Sequence, residues 1–151
     1  EISLGLVGSE MCIRDSFTYV REKLSLCYYC AARFDRLTGL MFVDSGVEKQ
    51  NGRKAYDEIL RQLDCVRRGE FTDEELTATR LLMQTSLEAV GDSLSATEEW
   101  YLTQIVGGAQ YSAKDESALL DEVTREDVIA AAGQVTLDTV YFLTGKEGAA
   151  Q

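Results

Sequence analysis

The sequence predicts an α+β fold in which helices pack on one face of a small antiparallel sheet. Two strand-like segments, residues 26–34 and 40–47, lie on either side of a turn. Segments with helical spacing of apolar residues follow between residues 49 and 133. A last apolar run at residues 137–143 predicts a closing strand that could pair with the hairpin. No repeat, low-complexity segment or linker interrupts this order, so we expect one domain.

The hairpin is predicted from alternating side chains and from its turn. The alternation puts Tyr28, Cys30, Ala32 and Phe34 on one face of the first strand, and Tyr29, Ala31 and Arg33 on the other. Residues 35–39, Asp-Arg-Leu-Thr-Gly, are typical of a turn, and residues 40–47 supply the returning strand.

Helices are predicted where capping residues precede apolar residues spaced by three or four. The first spans about residues 49–68. The second runs from a capping box at Thr72 to about residue 90, and Ser95 is the predicted cap of a third that ends at Gly107. A short helix is expected within residues 112–121, and Thr124 caps the last helix, residues 128–133.

The charge of the chain excludes some classes of partner. With 26 acidic and 15 basic residues the net charge is -11 at pH 7, which disfavours nucleic acid and anionic membranes. No apolar run approaches the roughly 20 residues of a membrane span, and no signal-peptide pattern is present, so we expect a cytoplasmic protein. The acid pairs Glu74-Glu75 and Glu98-Glu99 lie in predicted first turns of helices, where they favour the helix dipole, so we interpret them as capping residues rather than as acid–base couples.

The cysteines do not suggest a metal site. The chain has four, Cys12, Cys27, Cys30 and Cys65, and no His. Cys27 and Cys30 are three residues apart in a predicted strand, where their side chains would face opposite ways. The absence of His removes the commonest general base and the usual ligand of catalytic zinc. We therefore expect reduced thiols, and no metal or cofactor in this chain.

Arg21 and Tyr28 are the candidate substrate-binding residues. The spacing of apolar residues in 17–24 predicts the end of a helix, so a helix-to-strand turn would bring Arg21 and Tyr28 to the same edge of the fold. Arginine offers a planar fork of donors and tyrosine a hydroxyl on a stiff ring, and both suit carbonyl oxygens. The alternative is structural, with Arg21 paired to a nearby acid and Tyr28 in the core.

Residues 1–16, EISLGLVGSEMCIRDS, resemble translated sequencing-adaptor sequence, and we expect them to be non-native. The native domain would then comprise residues 17–146 and would be truncated at its amino terminus. Residues 147–151 would form a polar tail.

Four segments together resemble the carboxyl-terminal domain of the pitrilysin/insulinase family of zinc peptidases. They are FTYVREKLSLCYYCAARFDRLTGLMFVDSGVE at residues 17–48, FTDEELTATR at 71–80, GDSLSATEEWYLTQ at 91–104 and VTREDVIAAAGQVTLDTVYFLTG at 123–145. The resemblance implies a truncated pitrilysin-type domain, a fold also described as metalloenzyme LuxS/peptidase-like. Within the family the chain is most similar to peptidase-like proteins associated with the 5-aminopentanol modification of elongation factor P.

The resemblance also implies roles for particular residues. In this family, α/β domains enclose a chamber, and an amino-terminal domain binds zinc through an inverted His-x-x-Glu-His motif. Any zinc would therefore be held by a missing domain or by a homologous partner subunit. In active members an arginine and a tyrosine of the last domain, matched here by Arg21 and Tyr28, bind the substrate backbone. Ser25 and Cys27 replace residues that are often Gly or Ala, and both are small enough for a tight turn.

The leading hypothesis is a non-zinc-binding carboxyl-terminal domain that helps to form a peptide-binding chamber and orients a peptide or protein substrate for a zinc site elsewhere. The alternative is a non-catalytic interaction scaffold that pairs with an active peptidase subunit. A stand-alone hydrolase is disfavoured, because neither a nucleophile with its base nor a metal site can be assembled from these residues. The parent protein would be either a zinc metallopeptidase or an inactive homologue.

Overall fold

A computed structural model describes residues 27–145 of the chain. This part contains a two-stranded antiparallel sheet and five α-helices, which confirms the α+β class. In chain order the elements are β1 (Cys27–Asp35), β2 (Leu40–Val47), α1 (Gly52–Arg67), α2 (Asp73–Ala89), α3 (Leu94–Val106), α4 (Ala113–Leu120) and α5 (Arg125–Gln134). Single 3-10 turns at Lys49–Asn51 and Val90–Asp92 precede α1 and α3. Among these helices, none has the length and apolar composition needed to cross a membrane.

The turn between β1 and β2 is held by its first residue. The Asp35 carboxylate accepts hydrogen bonds from the Leu37 backbone N–H at 2.9 Å and from the Thr38 hydroxyl at 2.8 Å. Gly39 adopts a φ of 69°, which a residue without Cβ tolerates best. The turn therefore forms where the sequence predicts it.

The hairpin packs on α1 through a small buried residue. Ala32 of β1 is buried, and Cys27, Cys30, Val43 and Ile59 pack around it. Because Ile59 belongs to α1, this cluster fixes one face of the sheet on that helix.

The second apolar cluster lies between the helices. Its buried members are Met83 and Leu87 of α2, Trp100 of α3 and Leu120 of α4. The Trp100 indole N–H donates to the Tyr111 carbonyl oxygen at 3.1 Å, so the one polar atom of this ring is satisfied.

The predicted caps at Thr72 and Thr124 are confirmed, since each forms a capping box with the acidic residue three positions later. Ser112 forms a third capping box, at the start of the short helix expected within residues 112–121. The prediction of Ser95 as the cap of α3 is wrong, because Ser93 has the extended backbone of an N-cap and accepts from the Ala96 N–H at 3.4 Å. Helix α3 thus begins two residues earlier than the sequence suggests.

The predicted closing strand is absent from the described structure. Residues 137–143 have no regular secondary structure, and among the strands of residues 27–145 β1 pairs only with β2. A strand exists only by pairing with another, and in residues 27–145 none lies alongside this segment. Its Phe142 ring instead makes an edge contact with Tyr56 of α1, with the ring centroids 6.3 Å apart.

Two arginines connect α1, α2 and α5. The Arg125 guanidinium donates to the carbonyl oxygens of Gly69 at 2.9 Å and Phe71 at 2.6 Å, and to the Asp73 carboxylate at 2.6 Å. It also lies 4.5 Å from the centre of the Phe71 ring. Arg67, the last residue of α1, donates to backbone carbonyls at the end of α5. The Arg125 side chain, at the start of α5, therefore holds the connection between α1 and α2 in place.

We expect Arg125→Ala to lower the free energy of unfolding by about 2 kcal/mol, because it removes charge-assisted hydrogen bonds to partly buried carbonyls. Urea unfolding of the full chain measures this loss. The matched control is Arg53→Ala, since Arg53 is an exposed member of a pair with Asp57 and should contribute less than about 1 kcal/mol. Equal losses in the two variants would contradict the assignment of Arg125 as the connection between these helices.

Candidate functional site

Tyr28 lies at an irregularity in the hairpin. Cys27 pairs with Val47 and Tyr29 pairs with Gly46, so the register shifts at Tyr28 and leaves this residue without a partner across the ladder. Its side chain is 75 % exposed. Bulges of this kind turn a side chain away from the direction that simple alternation gives it. The predicted partner, Arg21, lies outside the described residues.

The Tyr28 hydroxyl has only a weak contact. It donates to the Glu48 carboxylate at an oxygen–oxygen distance of 3.5 Å, which is long for this kind of hydrogen bond. Glu48 also accepts from the Gln50 side-chain amide at 2.8 Å. The phenol can therefore exchange Glu48 for a carbonyl oxygen at small cost.

The bulge also corrects two predictions about the faces of β1. Tyr28 does not share the buried face with Cys30 and Ala32, since it is exposed while they pack toward α1. Cys27 and Cys30, predicted to point in opposite directions, both pack against Ala32. The physical reason is the extra residue between Cys27 and Tyr29, which shifts the two-residue period by one. Beside the bulge, the Ser45 hydroxyl donates to the Tyr29 carbonyl oxygen at 2.9 Å.

The thiols do not fit a zinc site, although two of them are on one face. Within residues 27–145 no group of three or more potential ligands comes together, and the whole chain has no His. Cys27 and Cys30 lie in an apolar cluster, where no carboxylate completes a ligand set. Cys65 lies on α1 beside arginines, and burial raises the pKa of its thiol. A further cysteine, Cys12, is outside the described part.

The other end of the hairpin is fixed by a buried polar cluster. Arg36 of the turn pairs with the Glu116 carboxylate of α4 at 3.5 Å. The Gln104 side-chain amide of α3 donates to the same carboxylate oxygen at 3.1 Å, and Gln104 is only 2 % exposed. These three residues, which we call the turn anchor, come from three separate elements. They hold the tip of the hairpin on the helices, while Ala32 holds its middle.

The turn anchor includes a partly buried carboxylate, and removing this charged group from water is unfavourable. Burial raises the pKa of Glu116 above its ordinary value, although the nearby Arg36 charge and the Gln104 amide oppose this change. The side-chain oxygen of Gln104 is buried and has no hydrogen-bond partner. Sequence reasoning missed this cluster. The available signal was weak: Gln104 follows Trp100 by four residues and therefore shares its buried helix face.

The comparisons with known proteins agree with this architecture. Residues 9–83 match the family described as Peptidase M16 inactive domain. Over 133 residues the chain is 34 % identical to a protein of Bacillus subtilis (strain 168) named "Probable inactive metalloprotease YmfF". The crystal structure of a conserved protein from Enterococcus faecalis V583 superimposes with a TM-score of 0.69 at 25 % identity over 78 % of this chain.

Both of these relatives are much longer than the region they share with this chain. The match takes up 88 % of this chain but 31 % of the Bacillus protein. It takes up 28 % of the Enterococcus protein. The chain therefore spans about three tenths of the length of each.

The turn anchor predicts a specific pH dependence. Because the pKa of Glu116 is raised in the folded state, folded protein binds this proton more tightly than unfolded protein does. Stability due to Glu116 is therefore lost as the pH rises from its ordinary value of 4.5 through the raised value. We therefore expect the free energy of unfolding of the wild type, minus that of Glu116→Gln, to be smaller at pH 7 than at pH 4.

Urea titrations at the two pH values measure this difference. Glu122→Gln is the control, because Glu122 is an exposed carboxylate just after the same helix. The difference in free energy of unfolding between Glu122→Gln and the wild type should be nearly the same at both pH values. If the free energy of unfolding of the wild type instead increases relative to that of Glu116→Gln as the pH rises, the Arg36 ion pair outweighs the effect of burial.

Proposed function

Because this chain belongs to the M16, or pitrilysin, peptidase family and carries its inactive, carboxyl-terminal type of domain, we propose that it helps to form a peptide-binding chamber. In that chamber it orients a peptide for a zinc site held in another domain or in a homologous partner subunit. The single observation that carries this proposal is the exposed, weakly bonded phenol of Tyr28 at the bulge. Catalysis itself is not assigned to this chain.

The proposed role of Tyr28 is positioning. Its hydroxyl would leave Glu48 and donate to a backbone carbonyl of an extended peptide, and Arg21 would offer two parallel donors to a neighbouring carbonyl. Such contacts lower a reaction barrier by fixing the peptide, without making or breaking a bond. The fixed hairpin supports this role, since the middle of β1 packs on α1 and the turn is held by Glu116.

A finer assignment belongs to the same proposal. We place the parent protein among the cytoplasmic, peptidase-like proteins associated with the 5-aminopentanol modification of elongation factor P. The support for this is the sequence resemblance of residues 17–146. The Bacillus relative is named a probable inactive metalloprotease, which favours a peptidase-like rather than a proteolytic parent.

A non-catalytic scaffold is the second candidate. Two observations favour it: the Bacillus relative is named a probable inactive metalloprotease, and α2 and α3 are acidic. In that case Tyr28 would contact only protein, and the acidic helices would form the docking face.

We expect Arg21→Ala and Tyr28→Phe to lower the turnover of a quenched peptide by about tenfold each when the full-length protein is assembled with the subunit that holds the zinc site, a loss of about 1.4 kcal/mol in transition-state stabilisation. Assembly, followed by size-exclusion chromatography, should be unchanged. Tyr29→Phe is the matched control, because it removes the neighbouring hydroxyl from the same strand. Unchanged turnover with intact assembly in both test variants would overturn the positioning role and leave the scaffold.

A further inference from the structure

Helix α3 buries one face inside the described structure and leaves a second, more apolar face exposed. Trp100 and Gln104 are buried on its inner face. A second set of residues, on another side of the helix, is exposed to solvent. It consists of Leu94, Tyr101, Leu102, Ile105 and Val106. We call this row the outer stripe.

The exposure of the outer stripe is high for apolar side chains. Leu94 is 92 % exposed and Ile105 is 73 % exposed. Single exposed apolar residues are ordinary, but five on one side of a helix, four of them clustered at residues 101–106, mark an interaction surface. Its spacing matches the row by which one helix packs along another. The outer stripe therefore has the geometry of a helix-docking face.

Charge decides what kind of helix can dock there. Glu98 lies within the outer stripe, and Glu99 and Asp92 are exposed beside it. From Asp73 to Val106, helices α2 and α3 and the 3-10 turn between them carry seven acidic residues and one basic residue. That base, Arg80, donates to the Val123 carbonyl oxygen and so is already used inside the fold. A second copy of this chain would bring carboxylates against carboxylates, which disfavours self-association.

We propose that the outer stripe binds an amphipathic helix of a partner protein, whose apolar residues are bordered by lysine or arginine. Apolar contact would supply most of the affinity, and the basic residues would select the partner by pairing with Glu98 and Glu99. This inference goes beyond the proposed function, because it involves neither Tyr28 nor the peptide. Its failure would leave that function untouched.

The test uses the full chain and three synthetic helical peptides of about five turns. The first has leucines at heptad spacing flanked by lysines, the second has glutamates in place of the lysines, and the third has serines in place of the leucines. We expect isothermal titration calorimetry to show that the first binds at least tenfold more tightly than the other two. Equal binding of the first and third peptides would overturn the proposal, because it would mean attraction by charge alone.

Three variants make the test specific to the outer stripe. The double change Tyr101→Ser with Ile105→Ser should weaken the first peptide at least tenfold, whereas Leu81→Ser, an exposed leucine on α2, should not. Glu98→Lys should weaken the lysine peptide and strengthen the glutamate peptide. Thermal unfolding checks that each variant is folded.

Two results would overturn the proposal directly. One is equal binding of the lysine-flanked peptide by the wild type and the double variant. The other is a wild-type dimer in analytical ultracentrifugation that the double variant abolishes, because a second copy of the chain would then cover the outer stripe.

Discussion

The packing of the hairpin on α1 at Ala32 is the contact on which the position of Tyr28 depends. Ala32 is 2 % exposed, and its methyl group is small enough for β1 to approach Ile59 closely. A two-stranded hairpin alone is only marginally stable in water, so this contact and the turn anchor keep it in one place. The strand that carries the phenol is consequently fixed on the helices, and in the proposed function this would reduce the entropy lost when a peptide binds.

Local features of the sequence were sufficient to predict most elements. The turn followed from Asp35 and Gly39, and the caps of α2 and α5 followed from Thr72 and Thr124. These interactions join residues no more than four positions apart, so residue types alone determine them. The start of α3 was misplaced because two serines, Ser93 and Ser95, suit a cap equally well and the preceding 3-10 turn favours the first.

Features that depend on distant residues could not be predicted. The bulge beside Tyr28 leaves no mark in residue types, yet it reverses the faces expected for Tyr28 and Cys27. The turn anchor joins side chains 12 to 80 positions apart in sequence. Residues 137–143 have strong strand propensity but form no strand in the described structure. Propensity is a property of one segment, whereas a strand also requires a second segment to pair with, so propensity alone predicted this strand wrongly.

Helix α3 shows why its role could not be read from spacing alone. Trp100 and the exposed apolar residues both recur at helical spacing, and spacing alone does not say which face of the helix is internal. The face that contains Trp100 is the buried one, because this ring packs between α2 and α4 and its N–H donates to the Tyr111 carbonyl oxygen. The exposed apolar row lies among carboxylates, so contact with another acidic surface is electrostatically unfavourable and contact with a basic surface is favourable. The choice of the inner face thus also determines which surface α3 offers to other proteins.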